Sequence, residues 1–537
     1  MMKVELLGAI DYAKLRNELK NKNVENVEAI VDYMHELQKC NTIDDKIIKE
    51  LEKKIKSVNA TSSKEIVDYI KDLENNGRAE KVATAGRLSR FAGDVFEVLG
   101  ITGSNTLEQN INFAKRVIGM GHDSITDHDY LVFAIKDVSP VIEQTIIAER
   151  FSSFTIKSRR EVDFSHAGFY IPEFHNEDGL LISDNINARI EYCKYMKSLF
   201  GAYSKLEESG LAKEDARFVL PYCYNSNIIM GIDAHTLKDM IIKFTKTHLS
   251  KIQELREFGE RLCDIAAEHV PYILDEIYNA PSIDKDPVSE YLESNGVKSG
   301  YKILDSVKLL NSSDKVDDTI LAASIMKRYQ VDKKTALREL RRLAASNPEF
   351  KETLMRKIAF EGDKAELAQV NFEFQIPLSF AVLTHLTRHR THQLLIPEFA
   401  PLVDLQQYKV PPKAKAICPG EIESIFDNNY EFAEKFQKKY GIREEDLVYF
   451  TLSGNMVNVV SNMDGKTVEH ILGLRECSKA QWETQGMARG MHSEIDKLPH
   501  AKLYSSILGS TCMTQGYCKE GKESCGKLLA LQNKNKD

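Results

Sequence analysis

Thr384-His385-Leu386-Thr387-Arg388-His389-Arg390-Thr391-His392-Gln393 stands inside an apolar run from Phe380 to Ile396. Two arginines and three histidines fall within it, yet Phe380, Leu383, Leu386 and Leu394 recur at helical spacing. The pattern predicts a buried helix with a cationic edge. A guanidinium cannot shed its proton, so burying it without a partner is costly. The edge must face carboxylates or a bound anion. His385 and His389, at i and i+4, could also chelate a metal, but Arg388 and Arg390 would repel a divalent cation and no HExxH glutamate is present.

Around this stretch the composition is ordinary. The 537 residues suffice for two or more domains, with 42% hydrophobic and 28% charged residues. Lys and Arg number 72 against 80 Asp and Glu, a formal net charge of -8, and no basic tail points to a nucleic-acid polymer. The first residues, MMKVELLGAI, lack a cationic region followed by a long apolar one, and no stretch nears a membrane span. A cytoplasmic protein is expected, with no membrane partner. Nine cysteines, mostly far apart, argue against a disulfide framework.

Three amphipathic segments between residues 11 and 76 read as an added helical subdomain, the last ending at Asn75-Asn76-Gly77. Alternation from Tyr130 predicts a strand, followed by a helical run from Val141 to Phe154. Long helices are expected over residues 187–209 and from about Ala234 to Ala267, and a linker from Ala280 to Gly300. The two halves then echo each other. Gly210-Leu211-Ala212-Lys213-Glu214-Asp215 is matched by Gly441-Ile442-Arg443-Glu444-Glu445-Asp446, Ser139 to Arg150 by Ser379 to Arg390, and Phe169-Tyr170-Ile171-Pro172 by Gln407-Tyr408-Lys409-Val410-Pro411. A tandem duplication is expected.

Arg388-His389-Arg390, preceded by the alternating Phe372-Glu373-Phe374-Gln375-Ile376, resembles the Arg-His-Arg signature of the flavin-dependent thymidylate synthases. The resemblance implies an α+β fold of two tandem repeats of that family, helices packed on mostly antiparallel sheets. The first would span residues 1–297 with a helical insertion at about 11–76, the second 298–511, leaving a cysteine-containing tail at 512–537.

In the family the signature continues into a Ser-x-Arg pair that holds the nucleotide. The first half reads Ala148-Glu149-Arg150 where the triplet should be, but keeps Ser158-Arg159-Arg160; the second keeps the triplet but reads Glu398-Phe399-Ala400. His122, resembling the family's flavin-site histidine, faces Asp363 in the alignment of halves. Arg217 and Arg475, resembling its nucleotide-binding arginines, face Val448 and Phe244. Such complementary losses suit one composite site between the repeats with its mirror image decayed.

The implied chemistry is methylation of dUMP at C5, with methylenetetrahydrofolate and NADPH as co-substrates and reduced FAD as hydride donor. Arg388, Arg475 and His122 would be catalytic. Arg388, His389, Arg390, His122 and Ser89 would hold FAD, and Ser158, Arg160, Arg217, His385 and Arg475 the nucleotide. Because the family is tetrameric, a homodimer of this double chain is expected. The family's glutamate and its flavin-site asparagines are departed from at Ile156 and Ile396, at Asp233 and Asp239, and at Asp464 and His470. This leaves open a flavoprotein acting on another pyrimidine nucleotide, or a non-catalytic nucleotide- or flavin-binding scaffold. Cys512, Cys518 and Cys525 could hold zinc or an iron-sulfur cluster, the alternative being free thiols.

Overall fold

The computed structural model describes residues 2–6, 63–297, 302–397 and 404–528. The expected subdomain helices before Ser63, and Glu398-Phe399-Ala400, lie outside those residues. The chain forms two compact units. One comprises Met1–Ser158, His166–Ile190 and Cys223–Lys298; the other comprises Arg159–Ser165, Glu191–Tyr222 and Ser299–Asp537.

In the first unit β1 (Lys3–Leu6), β2 (Tyr130–Val138), β3 (Ser152–Ile156) and β4 (Ser226–Asp233) form an antiparallel sheet in the order β1-β2-β4-β3. Period-two alternation places Leu131, Phe133 and Ile135 of β2, with Ile228, Met230 and Ile232 of β4, in the core. The helices Ala234–Lys246 and Gln253–His269 supply Leu237, Ile241, Phe244, Phe258 and Leu262 to the same core.

In the second unit β5 (Lys308–Ser312), β6 (Asn371–Ser379), β7 (Gln393–Leu395) and β8 (Met456–Asp464) follow the order β5-β6-β8-β7, again antiparallel. Phe372, Phe374, Ile376 and Leu378 alternate inward with Val457 and Val459. The helices Gly465–Arg475 and Trp482–Asp496 bury Val468, Ile471, Leu472, Met491 and Ile495.

Two hydrogen-bonded devices recur. Asp233 accepts from the backbone of Thr236 at 2.7 Å, and Asp464 from that of Thr467 at 2.7 Å, each opening the helix after a central strand. At the end of β6, Ser379 gives its N–H and hydroxyl to buried Glu483 at 2.8 and 2.7 Å; at the end of β2, Ser139 does the same with Glu254 at 2.8 and 2.5 Å. Each carboxylate belongs to the second helix after its own sheet. The expected mixture of helices with antiparallel sheets is therefore present in both units.

Several expected boundaries differ. Helix Phe380–Leu386 is seven residues long, and Leu394 lies on β7, so its helical spacing from Leu386 is coincidental. The run from Val141 to Phe154 is likewise a short helix, Pro140–Ile146, followed by β3. Both stretches are apolar because they are buried in a sheet and its covering turn, and burial removes the period that separates helix from strand. The long helix expected to start at Ala234 breaks into two at Thr247, whose side chain caps the 3-10 turn His248–Lys251. Helix Ser63–Leu88 runs straight through Asn75-Asn76-Gly77, and Pro287–Ser294 forms a helix inside the expected linker. Among the described residues no helix is long and apolar enough to cross a membrane.

Candidate functional site

Within the second unit, the segment from Glu191 to Tyr222 is held by aromatic packing and by a strand-like pairing. Tyr195 stacks on Phe432, and the ring edge of Tyr192 meets Phe450. Ser453 N–H donates to the Leu220 carbonyl at 2.9 Å, and Gly454 N–H to the Phe218 carbonyl at 2.7 Å. Only a glycine allows this approach, because a Cβ at position 454 would stand 2.7 Å from the Phe426 ring and 3.0 Å from the Phe218 carbonyl. Tyr222 hydroxyl donates to the Phe380 carbonyl at 3.3 Å, fastening the segment to the start of the helix that bears His385.

These contacts deliver Arg217, only 2% exposed, to the site. Its Nη2 lies 3.4 Å from His385 Nε2, and its Nε donates to the Glu214 carbonyl at 3.2 Å. Buried Arg159 donates to Thr384 Oγ1 at 3.2 Å, and Arg160 pairs with Glu214 at 2.9 Å. From the other side Arg475 donates Nε–H to His389 Nε2 at 3.1 Å and Nη2–H to the His385 carbonyl at 3.4 Å. Burial holds the His385 imidazole well below its ordinary range, and Arg217, Arg475, Arg388 and Arg159 act in the same direction. Burial likewise pushes His389 down to about 3, helped by Arg475, His470, His392 and Arg388, and His392 down to about 4. The histidines are neutral at physiological pH, and the positive charge resides on guanidinium groups.

Arg475 has no carboxylate partner among the described residues; its two acceptors are neutral. It is partly buried, and desolvation together with the fields of Arg388 and Arg160 disfavours its charge. Since arginine stays protonated in proteins, the charge persists and is available to an anion.

The expected burial of the arginine edge is inverted. His385, His389 and His392 are buried, while Arg388 and Arg390, on the turn between the Phe380–Leu386 helix and β7, are exposed. An imidazole can enter an apolar environment by losing its proton; a guanidinium cannot, and stays in water. The second unit thus gathers Arg160, Arg217, His385, Arg388, His389, Arg390 and Arg475 from both halves of the sequence. Ser158, Ser89 and His122 belong to the first unit, where His122 is exposed with its Nε2 2.9 Å from Arg90 Nη2, and Ser89 follows the Ser63–Leu88 helix.

At the aligned positions Phe244 is fully buried against Phe258, Val448 is buried, and Asp363 pairs with Lys327 at 2.7 Å. Cys512, Cys518 and Cys525 are free, and among the described residues no three His, Cys, Asp or Glu side chains form a group fit for a metal. Sequence reasoning missed Arg159, read only as the spacer in Ser-x-Arg, and the pair formed by Trp482 Nε1–H and buried Asp215 at 2.8 Å. The chain has one tryptophan, and that rarity was the available signal.

Residues 65–272 and again 308–499 match the family described as thymidylate synthase complementing protein. The chain belongs to this family. Similar proteins named flavin-dependent thymidylate synthase come from Nitratidesulfovibrio vulgaris, 30% identical over 155 residues, 27% of this chain and 60% of that protein. Those from Thermococcus kodakarensis and Saccharolobus solfataricus are each 30% identical over 30% of this chain, covering 64% and 63% of their own lengths. The chain spans less than two thirds of the relatives it matches.

Proposed function

We propose that this family member is a flavin-dependent thymidylate synthase-like enzyme. It methylates dUMP at C5 with methylenetetrahydrofolate and reduced FAD, NADPH being the reductant. The observation that carries the reading is Arg475, desolvated, oriented by neutral acceptors and unneutralised by any carboxylate among the described residues. Arg160, Arg217 and Arg475 bind the phosphate and a uracil oxygen through charge-assisted forks. Glu214 holds Arg160 and must yield part of that contact to the nucleotide.

The donor chemistry on the triplet suits FAD. Arg388 and Arg390 present exposed guanidinium groups to a pyrophosphate. At the positions of the family's asparagines, Asp464 is engaged in capping Thr467, and His470 stands edge-on to His389 at 5.7 Å. The pyrophosphate side therefore fits, and the ring side is remodelled. Bound there, the reduced flavin supplies the hydride. Arg475, partly buried, and Arg388, on the exposed turn, stabilise negative charge developing on the ligands.

The matching strand orders, the paired Ser–Glu bonds and Asp–Thr caps, and two matched family stretches support a tandem duplication. The remodelled ring side favours, as second reading, a flavoprotein acting on another pyrimidine nucleotide. The test is titration of purified protein with FAD and dUMP followed by tritium release from C5-labelled dUMP. Protein that takes up no FAD refutes both readings; FAD and dUMP uptake without tritium release leaves the second.

A further inference from the structure

Arg475 is oriented without being neutralised by any carboxylate among the described residues. Its Nε–H meets the imidazole Nε2 of His389 at 3.1 Å, and its Nη2–H a backbone carbonyl. A carboxylate at the first position would align the guanidinium more strongly but would cancel the charge that an anionic ligand needs. A neutral nitrogen acceptor aligns it and leaves the charge intact. For His389 to accept at Nε2 it must be neutral with its proton on Nδ1. The groups facing it enforce this: Arg475, Arg388, His392 and His470 all lie close enough to oppose a second positive charge, and His389 is itself only 8% exposed.

We infer that His389, the inward-facing member of the triplet, is a positioning residue for the nucleotide, acting through Arg475. The inference rests on the proposed nucleotide site and adds a role there to the flavin contact expected of the triplet. Glutamine, whose side-chain carbonyl oxygen can reach as far as Nε2, should replace His389; alanine supplies no acceptor; glutamate supplies an acceptor that also neutralises.

The experiment titrates dUMP into flavin-free wild type, His389→Gln, His389→Ala and His389→Glu, following heat and the fluorescence of Trp482. In parallel, nitrogen NMR of labelled arginine reads the Nε–H of Arg475 in the same proteins without ligand, using Arg475→Lys for assignment. Affinity in His389→Gln should stay within about threefold of wild type, and in both His389→Ala and His389→Glu it should fall about tenfold or more. The protected Arg475 Nε–H signal should survive in Gln and Glu but vanish in Ala.

A signal unchanged in His389→Ala overturns the positioning role, as does wild-type affinity in that variant. His389→Glu binding as well as His389→Gln overturns the argument from charge. Absence of dUMP binding by the wild type counts against the proposed function instead, and the ligand-free NMR then still decides whether His389 positions Arg475.

Discussion

Replacing Ser379 by alanine and, separately, Ser139 by alanine should destabilise each unit, Ser139→Ala at least as much as Ser379→Ala, and have unequal effects on the site. Each serine gives a buried carboxylate two hydrogen bonds, and the mutation removes the hydroxyl one, 2.7 Å to Glu483 in one unit and 2.5 Å to Glu254 in the other; at Ser139 it also removes the cap bond that Oγ accepts from Val141 N–H at 3.1 Å. Both serines are fully buried, so no water substitutes readily. A lost charge-assisted bond of this kind costs about 1.5–3 kcal/mol. On a unit of this size that is roughly 3–10 °C in the midpoint of its thermal transition.

The consequences diverge because Ser379 opens the helix that carries His385, whose carbonyl anchors Arg475. Ser379→Ala should therefore also weaken dUMP binding several-fold, while Ser139→Ala leaves it unchanged. Burial already raises Glu483 above the ordinary carboxylate range, and loss of the serine raises it further. The deficit of Ser379→Ala should accordingly be largest at neutral pH and shrink on acidification, when the carboxyl is protonated in both proteins. Calorimetric unfolding at several pH values, with dUMP titrations of each variant, tests the pair. Equal losses of nucleotide affinity in the two variants, or an undiminished midpoint in Ser379→Ala, refute the reasoning.

Arg475→Ala and Arg217→Ala should each weaken dUMP binding about tenfold or more, whereas Arg150→Ala, altering an exposed residue of the first unit, should not; titration calorimetry decides. Because His389 and His392 titrate well below their unfolded value, the unfolded chain binds more protons on acidification. Stability should therefore fall by up to about 1.4 kcal/mol per pH unit for each histidine as pH drops through roughly 6.5 towards 4, and His389→Gln should flatten that slope in denaturant titrations. Light scattering should give a homodimer mass.

Strands were legible at β2 and β6, where apolar and polar residues alternate as in Phe372, Phe374 and Ile376, but β4 and β8 were not read as strands. The segment after Phe380 was not, because a stretch apolar on every side carries no period. The arginines of the site were legible as residue types at motif spacing. Their environment was not, since which of Arg388 and His389 turns inward depends on the cost of losing a proton in a packed core. The Asp215–Trp482 pair joins residues with no local pattern linking them. The matching hexapeptides around Glu214 and Glu445 pointed to duplication but not to the entry of Glu191–Tyr222 into the second unit, which rests on contacts with residues more than two hundred positions away.

That entry makes the second unit a late-folding object. Its partners Leu220 and Ser453, and Tyr195 and Phe432, are more than two hundred residues apart along the chain. Closing so long a loop is slow more than it is costly, because the entropy grows only with the logarithm of its length. During synthesis the segment from Glu191 to Tyr222 must remain available, aromatic rings exposed, until Phe450 and Gly454 have emerged. A fragment beginning at Lys302 would keep its sheet but lack Arg160 and Arg217, and would leave the Phe432 and Phe450 rings uncovered. Any single cut between Tyr222 and Ser299 therefore parts the second unit from two of the segments that compose it.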